Sequence, residues 1–156
     1  MFTTKRPLIM GVINVTPDSF SDGGLYLSTQ QAIAHARNLI EEGADILDIG
    51  GESTRPDSQP VSIDEELNRV IPVLEALVDT HIPISIDTSK PEVMKHAIEA
   101  GAFMINDVNA LRSPGALEVL AQNNHVQICL MHMQGTPQDM QKSPQYKNIV
   151  AEVKDF

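Results

Sequence analysis

Apolar residues run almost unbroken from Leu8 to Val15, the pattern of a strand covered on both faces by helices. The run breaks into a long polar loop within GVINVTPDSFSDGG (Gly11 to Gly24). There Asn14, Thr16, Asp18, Ser19 and Asp22 bring oxygens, while Pro17, Gly23 and Gly24 fix or free the backbone. The period then changes to helical. Ile33, Ala36, Leu39 and Ile40 share one face of a helix capped by Ser28 or Thr29, running to about Glu42 and stopped by Gly43. A second short apolar run, Ile46 to Gly50, ends in GGESTRP. Ser62-Ile63-Asp64-Glu65 reads as a capping box, and Leu67, Val70, Ile71, Leu74, Leu77 and Val78 form the stripe of a long helix with a kink or boundary expected at Pro72. A third strand spans Pro83 to Thr88. A helix opened by Pro91 and stopped by Gly101 follows, burying Val93, Met94, Ala97 and Ile98. Met104 to Val108 is a fourth strand, about Pro114 to Asn123 a helix, and Gln127 to Met131 a fifth strand. After a polar stretch with Pro137 and Pro144, Tyr146 to Phe156 opens another helix.

Strand and helix alternating five times demand a parallel sheet with right-handed crossovers. One unit is visibly reused: IEEGADILDI (Ile40 to Ile49) aligns with IEAGAFMIND (Ile98 to Asp107), matching Gly43 with Gly101 and Asp48 with Asn106. Doubly wound sheets and eight-fold barrels both use such units. No G-x-G-x-x-G or G-x-x-x-x-G-K follows a strand, which favours the (β/α)8 barrel, of which about five units are present.

With 156 residues, 42% of them hydrophobic, a single domain with one core is expected. The net charge of -10, from 11 basic against 21 acidic residues, argues against nucleic acid or an anionic membrane as partner. A small anion held by helix N-termini and one Arg remains possible. Cys129 stands alone in the apolar run QICLM and reads as a core residue, so neither an internal disulfide nor a thiolate cluster is available. The N-terminus lacks the apolar stretch of a signal peptide, and no apolar run reaches membrane-spanning length, so a cytoplasmic location is expected.

In parallel βα proteins the ligand sits at the C-terminal ends of the strands. Collected there are Asn14, Asp48, the GGESTRP segment, Asp87, Asn106 with Asp107, and Met131 with His132. A carboxylate accepts two N–H donors from one edge of an amidine-like heterocycle, and an Asn amide both donates and accepts on another. The site thus suits a flat, nitrogen-rich ring. Each group also has a plainer reading: Asp87 as a helix cap, Asn106-Asp107 as a turn pair, and Arg55 as a solvated loop residue. Ser53, Thr54 and Arg55, after Gly50-Gly51, suit an anionic group. Asn14 could complete the shell of a Mg²⁺ ion held mostly by water and a substrate phosphate. His35, His81, His96 and His125 read as surface residues. Met94, Met104, Met131 and Met133 read as core filler, with Met131 also able to floor a ring pocket. No nucleophile elbow accompanies His132.

NVTPDSFSDGG, GGESTRP, ISIDTSKPEV, INDV and LMHMQG, in this order and spacing, resemble the dihydropteroate synthase family of pterin-binding enzymes from about Leu8 to Gln145. The resemblance implies a (β/α)8 barrel that joins 6-hydroxymethyl-7,8-dihydropterin diphosphate to p-aminobenzoate and releases pyrophosphate. It implies that Asp87 and Asn106 bind the pterin ring in a pocket lined by Asp48 and Met131, and that Asn14 meets the Mg²⁺. Ser53, Thr54, Arg55, Pro56 and Phe20 would close over the pyrophosphate and arylamine, while Asp18 supports the cationic intermediate and sulfonamides compete with the arylamine. Asp57 follows STRP where the family often has Gly. The family's later Asp-Pro-Gly-Phe-Gly-Phe-Gly-Lys, Ser-Arg-Lys and Arg-x-His segments do not occur here. These 156 residues therefore read as the N-terminal part of one pterin-binding barrel domain, a homodimer when full length and without useful synthase activity alone. The methyltetrahydrofolate-binding module of corrinoid methyltransferases and a non-catalytic pterin-binding fragment are the alternatives.

Overall fold

The computed structural model describes residues 6–15, 24–53, 60–136 and 139–156. Five parallel strands form one sheet: β1 (Met10–Asn14), β2 (Ile46–Gly50), β3 (Ile84–Asp87), β4 (Met104–Asp107) and β5 (Gln127–Leu130). Their spatial order is their sequence order. A doubly wound sheet reverses its order at a switch point; this one never does, as expected of a barrel wall. Between the strands lie α1 (Gly24–Glu41), α2 (Ile63–Leu77), α3 (Pro91–Glu99) and α4 (Ala116–Ala121), with α5 (Ile149–Asp155) at the end.

Register explains the apolar runs. Ile13, Ile49, Ile86, Ile105 and Ile128 are successive partners across the five strands. The first four are completely buried, in one core with Val70, Val73, Leu74 and Leu77 of α2 and Val93, Met94 and Ala97 of α3. Truncating one such isoleucine to Ala costs about 2–5 kcal/mol. At the edge strand the row loses its cover: Ile128 and Leu130 are 47% and 51% exposed, and at the other edge Val12 is 54% exposed. Each edge strand also has one unpaired side, a template for further strands.

The repeated unit is repeated in three dimensions. Gly43 and Gly101 follow α1 and α3 with φ near +100°. In the first unit Gly43 N donates to Ile40 O and Ala44 N to Leu39 O; in the second, Gly101 N donates to Ile98 O and Ala102 N to Ala97 O. These are two copies of one Schellman stop, which needs a residue without Cβ strain at the left-handed position.

Several local expectations are corrected. α1 begins at Gly24, upstream of the Ser28 or Thr29 cap. α2 runs through Pro72 to Leu77; Pro72 and Asn68 are exposed there, so water can take the carbonyl that the proline leaves without a donor. The capping box is half formed: Ser62 Oγ accepts from Glu65 N at 3.2 Å, but the Glu65 carboxylate turns to Arg69. Cys129 is exposed, as are Ile128 and Leu130 beside it, because β5 is the uncovered edge strand of the sheet. His35, His81, His96 and His125 are exposed as expected. Met94 and Met133 are buried, Met104 and Met131 partly so.

Candidate active site

The sheet face opposite the isoleucines carries the polar strand-end residues. Partners in register along it are Val12, Asp48, Ser85, Met104 and Gln127, then Asn14, Gly50, Asp87, Asn106 and Cys129. In a barrel the strands tilt, so a level layer climbs about one residue per strand and draws side chains from alternate strands. Two strands on from Asp48 the register reaches Met104, and two residues further lies Asn106. Asp48 and Asn106 therefore share a layer, with Asp87 and Met131 one level above and Ser85 one level below. The side chains agree: Asn106 Nδ2 donates to Asp48 Oδ2 at 3.0 Å across the intervening strand.

Asp87 is half-buried near this pair. Burial pushes its carboxyl up to about 7, with Asp48, Glu66, Asp107 and Glu52 adding repulsion. The reading of Asp87 as a helix cap is excluded, because Lys90 occupies the N-cap of α3 and Thr88 Oγ1 accepts from Lys90 N. The turn-pair reading of Asn106-Asp107 splits. Asp107 is wholly buried and accepts from Asn109 N at 2.8 Å and Leu111 N at 2.6 Å, bracing a turn in which Ala110 and Leu111 are both left-handed. Asn106, on the opposite sheet face, instead reaches across to Asp48.

Gly50 and Gly51 have different reasons to be glycine. A Cβ on Gly50 would sit 3.7 Å from Asp87 Oδ2 and 3.8 Å from Asn14 Oδ1, filling the space between them without a clash. A Cβ on Gly51 would meet Glu66 Cγ and Val70 Cγ1 at 2.9 Å, so Gly51 serves helix packing. Asn14 ends β1, exposed, with its amide oxygen beside that space. One neutral oxygen suits an ion whose other ligands are waters and phosphate. No group of three or more His, Cys, Asp or Glu able to hold a metal occurs among the described residues. Met131 follows β5, partly buried. Ser53 is partly buried at the start of the second loop; Thr54, Arg55, Pro56, Asp18 and Phe20 lie outside the described residues. His132 turns to the C-terminal segment, where Nε2 lies 3.2 Å from Tyr146 Oη and the ring meets Phe156 edge-on.

A set of charges escaped the sequence reading. Lys90 pairs with both Glu52 and Glu66. Burial lowers its pKa, but hydrogen bonds to the two carboxylates outweigh that and hold it above the ordinary value. Glu52 also accepts from Val61 N at 3.1 Å, and Arg69 donates to Gly51 O at 2.7 Å. The loop that leaves β2 is thus tied at both ends. Glu66 was findable: it lies four, seven and eleven residues before Val70, Val73 and Leu77, on the buried stripe of α2.

A parallel sheet that winds in one direction, with carboxylates and an amide brought together at its strand ends, defines part of a (β/α)-barrel wall. Residues 10–156 match the pterin binding enzyme family, and the chain belongs to that family. It is 52% identical over 153 residues to the dihydropteroate synthase of Escherichia coli (strain K12), covering 97% of this chain and 54% of that protein. Among solved structures, the Yersinia pestis dihydropteroate synthase in a sulfonamide drug complex superposes with a TM-score of 0.86 at 49% identity, over 97% of this chain and 55% of that one. The Xanthomonas albilineans dihydropteroate synthase with 4-aminobenzoic acid gives 0.85 at 56% identity, over 97% and 54%. The chain spans about half the length of the relatives it matches.

Proposed function

We propose that the chain is the N-terminal part of a dihydropteroate synthase barrel, carrying the pterin pocket of an enzyme that condenses 6-hydroxymethyl-7,8-dihydropterin diphosphate with p-aminobenzoate. The observation that carries this reading is the half-buried Asp87 carboxylate beside the Asp48–Asn106 hydrogen bond at the strand ends. Ionised Asp87 accepts the two N–H donors on the guanidine-like edge of the pterin, and Asn106 offers the complementary donor and acceptor on another edge. Asp48 orients Asn106 through their hydrogen bond, and Met131 packs on the ring.

Breaking the C–O bond to pyrophosphate leaves positive charge on the pterin methylene, which the arylamine nitrogen then attacks. The excess of carboxylates around Asp87 suits that cation electrostatically. Asp18 would support it from the first loop. Ser53, Thr54, Arg55, Phe20 and Pro56 would close over the pyrophosphate and arylamine, where sulfonamides would compete. Asn14 is the residue that would hold Mg²⁺, whose charge offsets that of the diphosphate. The exposed apolar residues on β1 and β5 support one barrel domain completed by further strands; at full length it would be a homodimer. The synthase relatives favour this reading over a methyltetrahydrofolate-binding module. Among the described residues no helix is long and apolar enough to cross a membrane.

The test is calorimetric titration of the 156-residue chain with the dihydropterin diphosphate and Mg²⁺. Binding by the chain, weakened a hundredfold or more in Asp87→Ala, is expected; equal affinity in both proteins refutes the assignment. No synthase turnover is expected without the closing strands, and turnover by the purified chain alone would overturn that part.

A further inference from the structure

The buried polar atoms beneath the proposed ring position are not all accounted for. Asp48 is 5% exposed and Ser85 fully buried, yet Asp48 Oδ1 and Ser85 Oγ find no hydrogen-bond partner among the described residues. The two are direct partners in register on β2 and β3, on the face that carries Asp87 and Asn106. Leaving two such atoms unsatisfied is strongly unfavourable, so a further molecule or ligand atom is called for between them.

Chemistry narrows what that molecule is. An ionised carboxylate oxygen only accepts, whereas a serine hydroxyl both donates and accepts. A group that donates to Asp48 Oδ1 and accepts from the Ser85 hydroxyl satisfies both, and water does so with a second hydrogen and a lone pair to spare. Buried waters commonly make about three hydrogen bonds. Two would come from Asp48 and Ser85 and the third from whatever lies above. Ser85 stands one layer below the Asp48–Asn106 pair, and its neighbours in that layer, Met10 and Cys129, compete poorly for hydrogen bonds.

We propose that Asp48 Oδ1 and Ser85 Oγ hold one ordered water at the floor of the pocket, and that this water meets the deepest polar atom of the bound ring. Ser85 is then a specificity-determining residue acting through the water. The inference rests on the pterin-pocket reading above and adds to it a residue and a mode of recognition.

The test uses the full-length protein, titrated with the dihydropterin diphosphate plus Mg²⁺ and separately with p-aminobenzoate, in wild type, Ser85→Ala, Ser85→Cys and Asp87→Asn. A crystal structure of the wild type with the pterin accompanies it. Density for a water within hydrogen-bond reach of both atoms is expected, together with about tenfold weaker pterin binding in Ser85→Ala and in the size-matched Ser85→Cys. Affinity for p-aminobenzoate should be unchanged, which a general loosening of the fold would not give. Should Asp87→Asn lose the pterin while both Ser85 variants keep it, the water-mediated role is wrong and the pocket stands. A ring atom in place of the water likewise overturns the proposal alone. If the wild type binds no pterin, the pocket reading falls and this inference with it.

Discussion

Asp87 makes a quantitative prediction about stability. Its carboxyl rises from an ordinary 3.8 to about 7 in the fold, chiefly through burial. A raised carboxyl means that the folded chain holds a proton which the unfolded chain has already released. Stability must therefore fall as pH climbs from the unfolded value through the folded one, and level off above it. At about 1.4 kcal/mol for each tenfold change in proton affinity, ionising Asp87 in the fold costs roughly 4 kcal/mol in full. Between about pH 5.5 and pH 8, roughly 2 kcal/mol of that cost develops. Asp87→Asn keeps the shape and removes the charge. Urea unfolding of both proteins at the two pH values, followed by far-ultraviolet circular dichroism, should show the wild type losing about 2 kcal/mol more than the variant on going to pH 8. Comparing the two proteins cancels the titration of shared groups. If the two pH dependences run parallel, Asp87 is not ionising against burial and the electrostatic account of the pocket is wrong.

Other substitutions separate packing from recognition. Gly50→Ala should leave stability within about 0.5 kcal/mol but weaken pterin binding at least tenfold by filling the space beside Asp87 and Asn14, whereas Gly51→Ala should cost about 1–3 kcal/mol through its contacts with Glu66 and Val70; unfolding and titration of both variants check this. Gly43→Ala should cost about 1 kcal/mol from left-handed strain alone, and Gly101→Ala more, since its Cβ would also meet Val78 Cγ2 at 3.1 Å; equal losses in thermal unfolding would contradict the difference. Lys90→Met should cost about 2 kcal/mol, discounted from full burial because Lys90 is half-buried, with part recovered when Glu66→Gln removes the stranded charge; a double variant no more stable than the single one would show that the pair is not coupled in this way.

Strands, helices and the barrel's winding were legible because they rest on periodicity and on local stops: the isoleucines at one position per strand, Gly43 and Gly101 after their helices, Pro91 at the start of α3. The strand-end cluster was legible as far as placement goes: Asp48, Asp87, Asn106 and Asn14 do share one face of the sheet. The rest depends on long-range packing. The repeat and the alternation along β4 set Asn106 and Asp107 on opposite faces, but not their partners: Asp107 turns back to brace its own turn while Asn106 reaches across to β2. Cys129 looked like core because its neighbours are apolar, but its strand lies at the edge of the sheet, where both faces are left exposed. Ser85 carried a signal in the alternation Ile84, Ser85, Ile86, Asp87, in which the polar residues share a face. Lys90 carried none, since its two partners come from β2's loop and from α2.

The meeting of Asp48 with Asn106 links the repeat to the chemistry. They occupy the same place in the two copies of the reused unit, two strands apart. The climb of about one residue per strand is what brings equivalent positions of alternate strands into one layer. Because the bond runs from an amide to a carboxylate, exchanging the two residues should preserve it with the charge moved to β4. Asp48→Asn loses the charged acceptor and Asn106→Asp sets two carboxylates against each other, so each alone should cost about 1.5–3 kcal/mol. The double exchange should recover at least half of the summed loss in a double-mutant cycle of urea unfolding. Pterin affinity should not recover with it, because the ring would meet a carboxylate on β4, which only accepts, where Asn106 offered both a donor and an acceptor. Strictly additive losses in stability would mean that the Asp48–Asn106 hydrogen bond does not couple the repeats, and full recovery of pterin binding would mean that the placement of the charge does not select the ring.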